Sequence, residues 1–267
     1  MKTFFETIAV AFGMFSRVPV PNFEWNDRNR RYAMLAFPLI GVALGACWLG
    51  AILLFQWLGL PALLGGALLT GLPFLITGGI HLDGYLDTRD ALSSHAPKEK
   101  KLEIMSDPHT GAFAVLYGAV YLILWFAAST VLLEHGSFWF WFLTAIGFVL
   151  SRSLSGLAVA TFPMAKDTGL VKSFADEADK KKVTVWLVVY LILLTAALVL
   201  IDFAAGTRLA GIEIFAAAVF LFSWYRYIAL KHFGGITGDL AGWFLSRVEL
   251  WALVVTALIA VSLGERP

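Results

Sequence analysis

Long runs of apolar residues, separated by polar links, recur along the whole of this 267-residue chain. A helix that crosses the hydrocarbon core of a bilayer needs about 20 mostly apolar residues. Lipid leaves open backbone groups without partners, and the sequence lacks barrel-like alternation, so these runs are predicted to be helices. Seven stretches have the required length: residues 32–58, 61–80, 111–133, 137–161, 183–203, 209–230 and 239–263.

The N-terminal stretch 3–15 is too short to cross a bilayer, and we expect it to lie along the interface as an amphipathic helix. The predicted fold class is therefore all-α: a polytopic integral membrane bundle of about seven transmembrane helices plus an N-terminal interfacial helix. The sequence carries no internal repeat or linker, so residues 1–267 are predicted to form a single integral membrane domain.

Composition supports a chain whose solvent is largely lipid. Hydrophobic residues make up 59% of the sequence and charged residues only 15%. A soluble domain carries about 25% charged residues, so this chain could not cover its apolar core in water. The lipid bilayer is therefore an expected partner. The net charge of +1 excludes the broad basic face with which nucleic-acid-binding proteins neutralise phosphates.

Lysine and arginine concentrate in three of the links and predict the orientation. These residues are Arg17, Arg28, Arg30 and Arg31 in the N-terminal arm, Arg89, Lys98, Lys100 and Lys101 after the second span, and Lys166, Lys172, Lys180, Lys181 and Lys182 after the fourth. Cytoplasmic links carry an excess of positive charge. We therefore expect a multi-pass protein of the cell inner membrane, with the N-terminus and these three links in the cytoplasm.

The motif with the clearest chemistry is HLDGYLDTRDA at residues 81–91. Asp83, Asp87 and Asp90 follow a spacing of i, i+4 and i+7, so on a helix they share one face. Carboxylates at a membrane boundary are costly and usually functional. Mg²⁺ prefers a few carboxylates together with substrate phosphates. The pattern predicts a shared Mg²⁺ site, against the alternative of a solvated acidic face at a helix end.

Three further carboxylates are candidate metal ligands. Glu103 and Asp107 stand four residues apart in a short helix that we expect Pro108 to end. An ordinary amphipathic surface helix is the alternative for that pair. Asp239 opens the last span, where it can be a helix cap or a ligand.

Substrate contacts are expected from a glycine-rich turn and from three cations. The turn FGGITGD at 233–239 contains Gly235, Thr237 and Gly238, and free N–H groups at such a helix start suit an anion. The cations are Lys166 in the loop 162–170, and Arg152 and Arg247 inside predicted spans. Charges buried in lipid should pair with one another, so structural ion pairs are the alternative for the two arginines.

The motifs HLDGYLDTRDAL, LEIMSDPHTGAF and GGITGDLAG, in this order, resemble the adenosylcobinamide-GDP ribazoletransferase family, also called cobalamin synthases. The segments FSRVPVP, FPLIG and FPMAKDTGL are also similar to that family, so the resemblance covers nearly the whole chain. It implies condensation of adenosylcobinamide-GDP with α-ribazole or its 5′-phosphate, release of GMP and a requirement for Mg²⁺. It also implies that an aspartate of the cluster, or His81, accepts the proton of the ribazole 5′-hydroxyl.

The chain departs from the family pattern at a few positions. His109 and Thr110 stand where Arg-Ile is usual, Lys166 stands where Arg is usual, and Ser246 replaces a frequent Glu, while Glu249 keeps the second acidic position. Neither Lys nor His has the two-pronged donor geometry of Arg, which weakens the expectation of phosphate contacts at positions 109 and 166.

Two other classes of function compete with this interpretation. CDP-alcohol phosphotransferases and prenyltransferases also handle diphosphates with aspartates, but this chain lacks their full second aspartate-rich motif. An ion-coupled transporter is the alternative from a different class, but its carboxylates would lie near the bilayer midplane. Here the acids gather in links, which favours an enzyme. The sequence leaves a homo-oligomer open.

Overall fold

The computed structural model describes residues 2–21 and 26–264, and within these ranges the chain is helical. The helices are α1 Lys2–Phe15, α2 Asp27–Arg30, α3 Ala33–Leu58, α4 Ala62–Thr77, α5 Ile80–Ser93, α6 Lys98–Ile104, α7 Ala112–His135, α8 Phe138–Thr161, α9 Leu170–Glu177, α10 Lys180–Ala205, α11 Ala210–Phe233 and α12 Gly238–Gly264. The predicted all-α fold is confirmed.

Six of these helices are long and apolar enough to cross a membrane: α3, α7, α8, α10, α11 and α12. The second predicted span, 61–80, is shorter than expected. Helix α4 ends at Thr77, and the chain then bends by 96° into α5. Gly78 and Gly79 make this bend with φ angles of 70° and 79°, which side-chain-bearing residues rarely adopt. The described residues therefore contain six candidate spans, or up to seven if the bent α4–α5 pair is counted as one span.

Helix α8 lies at the centre of the bundle and is the most buried of the spans. It packs tightly on α3, because a Cβ atom on Gly41 would lie 2.4 Å from the Phe148 carbonyl oxygen and one on Gly45 would lie 2.9 Å from that of Ala145. Such glycines let membrane helices approach closely. Large apolar side chains such as Ile192 and Phe220 remain exposed on the outside, as expected for a surface that lipid covers.

Contacts between distant parts of the chain gather the links at one end of the bundle, here called the site end. It holds the last turns of α4, α8 and α11 together with α5, α6 and α9. The Arg17 N–H donates to the Ile76 carbonyl (2.7 Å), which ties α1 to the end of α4. Met164 and Ile236 form an isolated parallel bridge between two links. All three basic links therefore lie at the same end.

Helix α1 is the predicted short N-terminal helix. Val10, Ala11 and Phe15 are buried against the bundle, whereas Phe4 and Phe5, nearer the N-terminal end of the helix, are each 62% exposed. Its placement along an interface stays a prediction.

Candidate active site

Two glycines determine how α5 meets the start of α12. A Cβ atom on Gly84 would lie 2.7 Å from both the Cα and the carbonyl oxygen of Asp239, and one on Gly242 would lie 2.8 Å from the His81 carbonyl oxygen. The Ser246 hydroxyl donates to the same His81 oxygen (3.2 Å). This close backbone approach brings Asp239 beside the acidic face of α5. Residue spacing in the sequence could not predict this contact, because the two helices are far apart along the chain.

The acidic face is a set of like charges that repel one another. Burial raises the pKa of Asp87 to about 7, and the negative charges of Asp83, Asp239 and Asp90 add to the effect. Helix α5 contains Asp83, Asp87 and Asp90, so their i, i+4, i+7 spacing lies within one helix. Asp239 adds a negative charge from another helix, so the cluster carries negative charge that a cation would stabilise.

Carboxylate oxygens that repel one another are a donor set that fits Mg²⁺. Among the described side chains, however, no group of three or more His, Cys, Asp or Glu residues is positioned to hold a metal ion. Mg²⁺ commonly takes only one or two carboxylates and completes its shell with waters and phosphates, so these residues fit that ion without a closed protein cage.

Asp90 has a structural contact that sequence reasoning missed. Its Oδ1 accepts a hydrogen bond from the Ala114 N–H (3.0 Å), so it caps the first turn of α7 from a different helix. A Cβ atom on Gly111 would lie 1.9 Å from its Oδ2, which explains why glycine precedes that helix. Asp90 therefore joins α5 to α7 whether or not it also binds a metal.

Glu103 and Asp107 do not share the helix we expected. Helix α6 ends at Ile104, so the predicted extension to Pro108 is wrong and Asp107 lies in the following turn. Glu103 pairs with Lys100 (2.7 Å), and Asp107 accepts hydrogen bonds from the backbone and ring nitrogens of His109 (2.9 and 2.7 Å). Neither is among the charges that act on Asp87. Their roles as metal ligands stay predictions.

The glycine-rich turn has two parts with different surroundings. The Thr237 hydroxyl accepts from the Leu240 N–H (3.2 Å), so Thr237 caps α12. A Cβ atom on Gly235 would lie 2.4 Å from the Met164 carbonyl carbon, so this glycine is needed for packing against the loop 162–169. A Cβ atom on Gly238 would find its nearest neighbour at 3.4 Å, and Gly238 lines an open cavity.

That cavity has a volume of about 310 Å³ and lies beside the acidic cluster. Its polar lining includes five residues that the sequence singled out: His81, Asp83, Lys166, Thr237 and Asp239. The Lys166 ammonium donates to the Ser106 hydroxyl (2.7 Å) and the Leu102 carbonyl (3.3 Å), which joins the loop to the end of α6. Nothing in the sequence indicated that Lys172 or the aromatic residues of the lining belong to a site.

Arg152 forms a buried ion pair with Glu249 across α8 and α12. The same guanidinium nitrogen donates to the Phe148 carbonyl (2.9 Å) and the Ser151 hydroxyl (3.2 Å). The geometry supports the structural alternative for Arg152. Arg247 stacks instead on the Trp243 ring, with 4.8 Å between its guanidinium carbon and the ring centroid. Neither arginine lines the cavity.

Comparison with known proteins gives the same family as the motifs. The model of the family described as Cobalamin-5-phosphate synthase matches residues 7–257. A relative from Lachnoclostridium phytofermentans, named adenosylcobinamide-GDP ribazoletransferase, is 44% identical over 243 residues, which cover 91% of this chain and 90% of the relative.

Two relatives with the same name are more distant. The one from Clostridium perfringens is 32% identical over 97% of this chain and 100% of its own. The one from Pseudomonas syringae pv. syringae is 33% identical over 85% of this chain and 88% of its own. No solved structure matches this chain. Since the family model spans most of the sequence and the relatives align over nearly their full lengths, the chain belongs to the cobalamin-5-phosphate synthase family.

Proposed function

We propose that this chain joins adenosylcobinamide-GDP to α-ribazole or α-ribazole 5′-phosphate and releases GMP, in the last steps of cobalamin synthesis. The relatives carry the name of this reaction. The observation that carries the proposal is the acidic cluster of α5 and Asp239 at the wall of a cavity large enough for a small substrate.

The attacking group is a hydroxyl of the ribose. The family description names a 5-phosphate product, so an acceptor that carries a 5′-phosphate keeps it through the reaction. A phosphorylated 5′-oxygen has no proton to lose, so the expectation of a 5′-hydroxyl is replaced by a secondary hydroxyl. Its oxygen forms a bond to the phosphorus on the cobinamide side, and the bond from that phosphorus to the GMP oxygen breaks.

The chain supplies positioning and charge, which dominate in phosphoryl transfer. We propose that one or two carboxylates of the set Asp83, Asp87 and Asp239 hold Mg²⁺, with Asp90 beside them. Mg²⁺ when bound would neutralise the diphosphate and the leaving GMP. His81 lines the cavity, and its Nε2 is buried without a hydrogen-bond partner among the described residues, so it is suited to accept the hydroxyl proton.

We further propose that the site end faces the cytoplasm of the cell and that the bundle lies in the inner membrane. The support is the Lys and Arg content of the three links at that end. Reporter fusions after Glu99 and after Glu134 should then report opposite sides of the membrane. A periplasmic signal after Glu99 would contradict this orientation.

The reaction itself is tested with purified protein in detergent. Adenosylcobinamide-GDP and α-ribazole should yield GMP and the joined corrinoid in equal amounts with MgCl₂, and neither with EDTA. Substrates of CDP-alcohol phosphotransferases and prenyl diphosphates should not react. Absence of GMP with correctly folded protein would refute the proposed function, whereas release that persists in EDTA would refute only the metal.

A further inference from the structure

The cavity beside the acidic cluster is small for a protein with two substrates. Its volume of about 310 Å³ lies at the lower end of the range of roughly 300–1,000 Å³ for pockets that take small ligands. A nucleoside with one bicyclic base matches this size. A corrinoid is many times larger, so the donor has to remain outside, with only its diphosphate reaching the carboxylates.

An aromatic wall forms one side of the cavity. It consists of Phe15 from α1, Phe37 from α3 and Phe174 from α9, all of them buried. The Phe15 ring centroid lies 4.7 Å from that of Phe37 and 6.0 Å from that of Phe174. Aromatic rings favour stacked or edge-on contact with another flat ring, so this wall suits a flat aromatic ligand.

The charged part of the lining comes from α5, α12 and the segment at the start of α9, and these elements also contribute apolar side chains such as Ile80 and Phe174. His81 and Asp83 belong to α5, Asp239 begins α12, and Lys166 and Lys172 lie in the segment that leads into and begins α9. The spanning helices α3 and α8 contribute mainly apolar side chains, including Met34 and Val159, with Ser155 as their polar member. The lining therefore combines apolar and aromatic side chains with charged groups, and a nucleoside has a flat base and a polar ribose to match both.

We propose that this cavity binds the acceptor nucleoside, with its benzimidazole base against the aromatic wall and its ribose toward Asp83, His81 and Asp239. The inference rests on the proposed function and adds to it which substrate occupies the cavity and which residues select its base. Lys166 and Lys172 stand where they can attract a 5′-phosphate. Helix α1 contributes Phe15 and so becomes part of the base site.

The guanine of the donor is a poorer match to the same wall. Guanine carries hydrogen-bond donors and acceptors around its ring, and the three phenylalanines offer it no partners. Burying a polar group without a hydrogen-bond partner is unfavourable. A benzimidazole has an apolar edge and avoids that cost.

The test fills the cavity from the α8 side. In Val159→Phe, the Michaelis constant for α-ribazole should rise about tenfold or more, the change that 1.4 kcal/mol produces. The constant for adenosylcobinamide-GDP should change less than twofold. The matched control is Val115→Phe on α7, where the side chain is 60% exposed on the outer surface and both constants should stay at wild-type values. If Val159→Phe fails to fold, Phe37→Leu is the substitute variant. It should likewise raise the Michaelis constant for α-ribazole and leave that for adenosylcobinamide-GDP nearly unchanged.

A second readout needs no turnover. Free 5,6-dimethylbenzimidazole should raise the melting temperature of the wild-type protein and of Val115→Phe, since a ligand that binds the folded state stabilises it. It should have no effect on Val159→Phe. An increase in the donor's Michaelis constant instead, or equal α-ribazole constants in the two valine variants, would overturn the base site while leaving GMP release and the proposed function intact.

Discussion

Gly84 of α5 packs directly on the backbone of Asp239 at the start of α12, with no room for a side chain between them. This contact sets the distance between the acidic face of α5 and the fourth carboxylate of the cluster. A glycine in the middle of a helix lowers helix stability by about 0.5–1 kcal/mol relative to alanine. The close approach is the physical reason to have it at this position.

Gly84→Ala should therefore reduce turnover at least about tenfold, because a Cβ atom 2.7 Å from Asp239 forces the two helices apart. The protein should still insert and fold, with a lower melting temperature. The control is Gly71→Ala in α4, where an added Cβ would meet nothing within 4 Å. That variant should keep full activity. Equal turnover in both variants would show that the separation of α5 and α12 does not limit the reaction.

Asp90→Asn should lower the melting temperature as well as turnover, because Asp90 caps α7. Loss of a helix cap costs about 0.5–2 kcal/mol, and Asn retains part of the hydrogen bond, so the effect on stability should fall at the lower end. Asp83→Asn should lose turnover without this loss of stability. Thermal unfolding of the two variants in EDTA separates the roles, and an unchanged melting temperature for Asp90→Asn would contradict the capping role.

The raised pKa of Asp87 predicts a pH dependence of stability in the absence of divalent ions. With a pKa near 7 in the folded state and an ordinary value of 3.8 when unfolded, the folded protein holds this proton more tightly. Stability from this group should therefore fall as pH rises from about 4 to about 7. Asp87→Asn should flatten that part of the melting-temperature profile measured in EDTA. A profile identical to wild type would mean that neither burial nor the neighbouring charges raise the pKa of Asp87 in the folded protein.

The sequence predicted the spans because lipid imposes a minimum length of apolar helix, and that requirement is visible in any window of the chain. It also predicted that Asp83, Asp87 and Asp90 share a face, since helical spacing is local. The break after Thr77 was missed because glycines are frequent in membrane helices, and nothing in Gly78-Gly79 alone distinguishes a bend from a packing site.

Contacts between distant helices could not be read from the sequence. The approach of Asp239 to α5, the cap that Asp90 gives to α7 and the aromatic wall each depend on which helices are neighbours. Gly235 illustrates the limit: we expected it to contact substrate, and the structure packs it against the backbone at Met164. Gly238, expected to do the same, has open surroundings beside the cavity.

The buried pair of Arg152 and Glu249 allows its structural and substrate roles to be distinguished. Removing one partner from a buried pair leaves an uncompensated charge and costs about 3–5 kcal/mol, whereas replacing both with apolar residues is often neutral. Glu249→Leu alone should therefore unfold at a much lower temperature than wild type. The double variant Arg152→Met, Glu249→Leu should recover most of that loss.

If Arg152 serves only the fold, the double variant should also recover turnover and keep the wild-type Michaelis constant for adenosylcobinamide-GDP. A stable double variant that fails to release GMP would assign Arg152 or Glu249 a part in catalysis or substrate binding, in addition to the ion pair. Because Ser151 donates to Glu249 (3.3 Å) and also accepts from Arg152, Ser151→Ala serves as the control, with a small loss of stability and normal turnover.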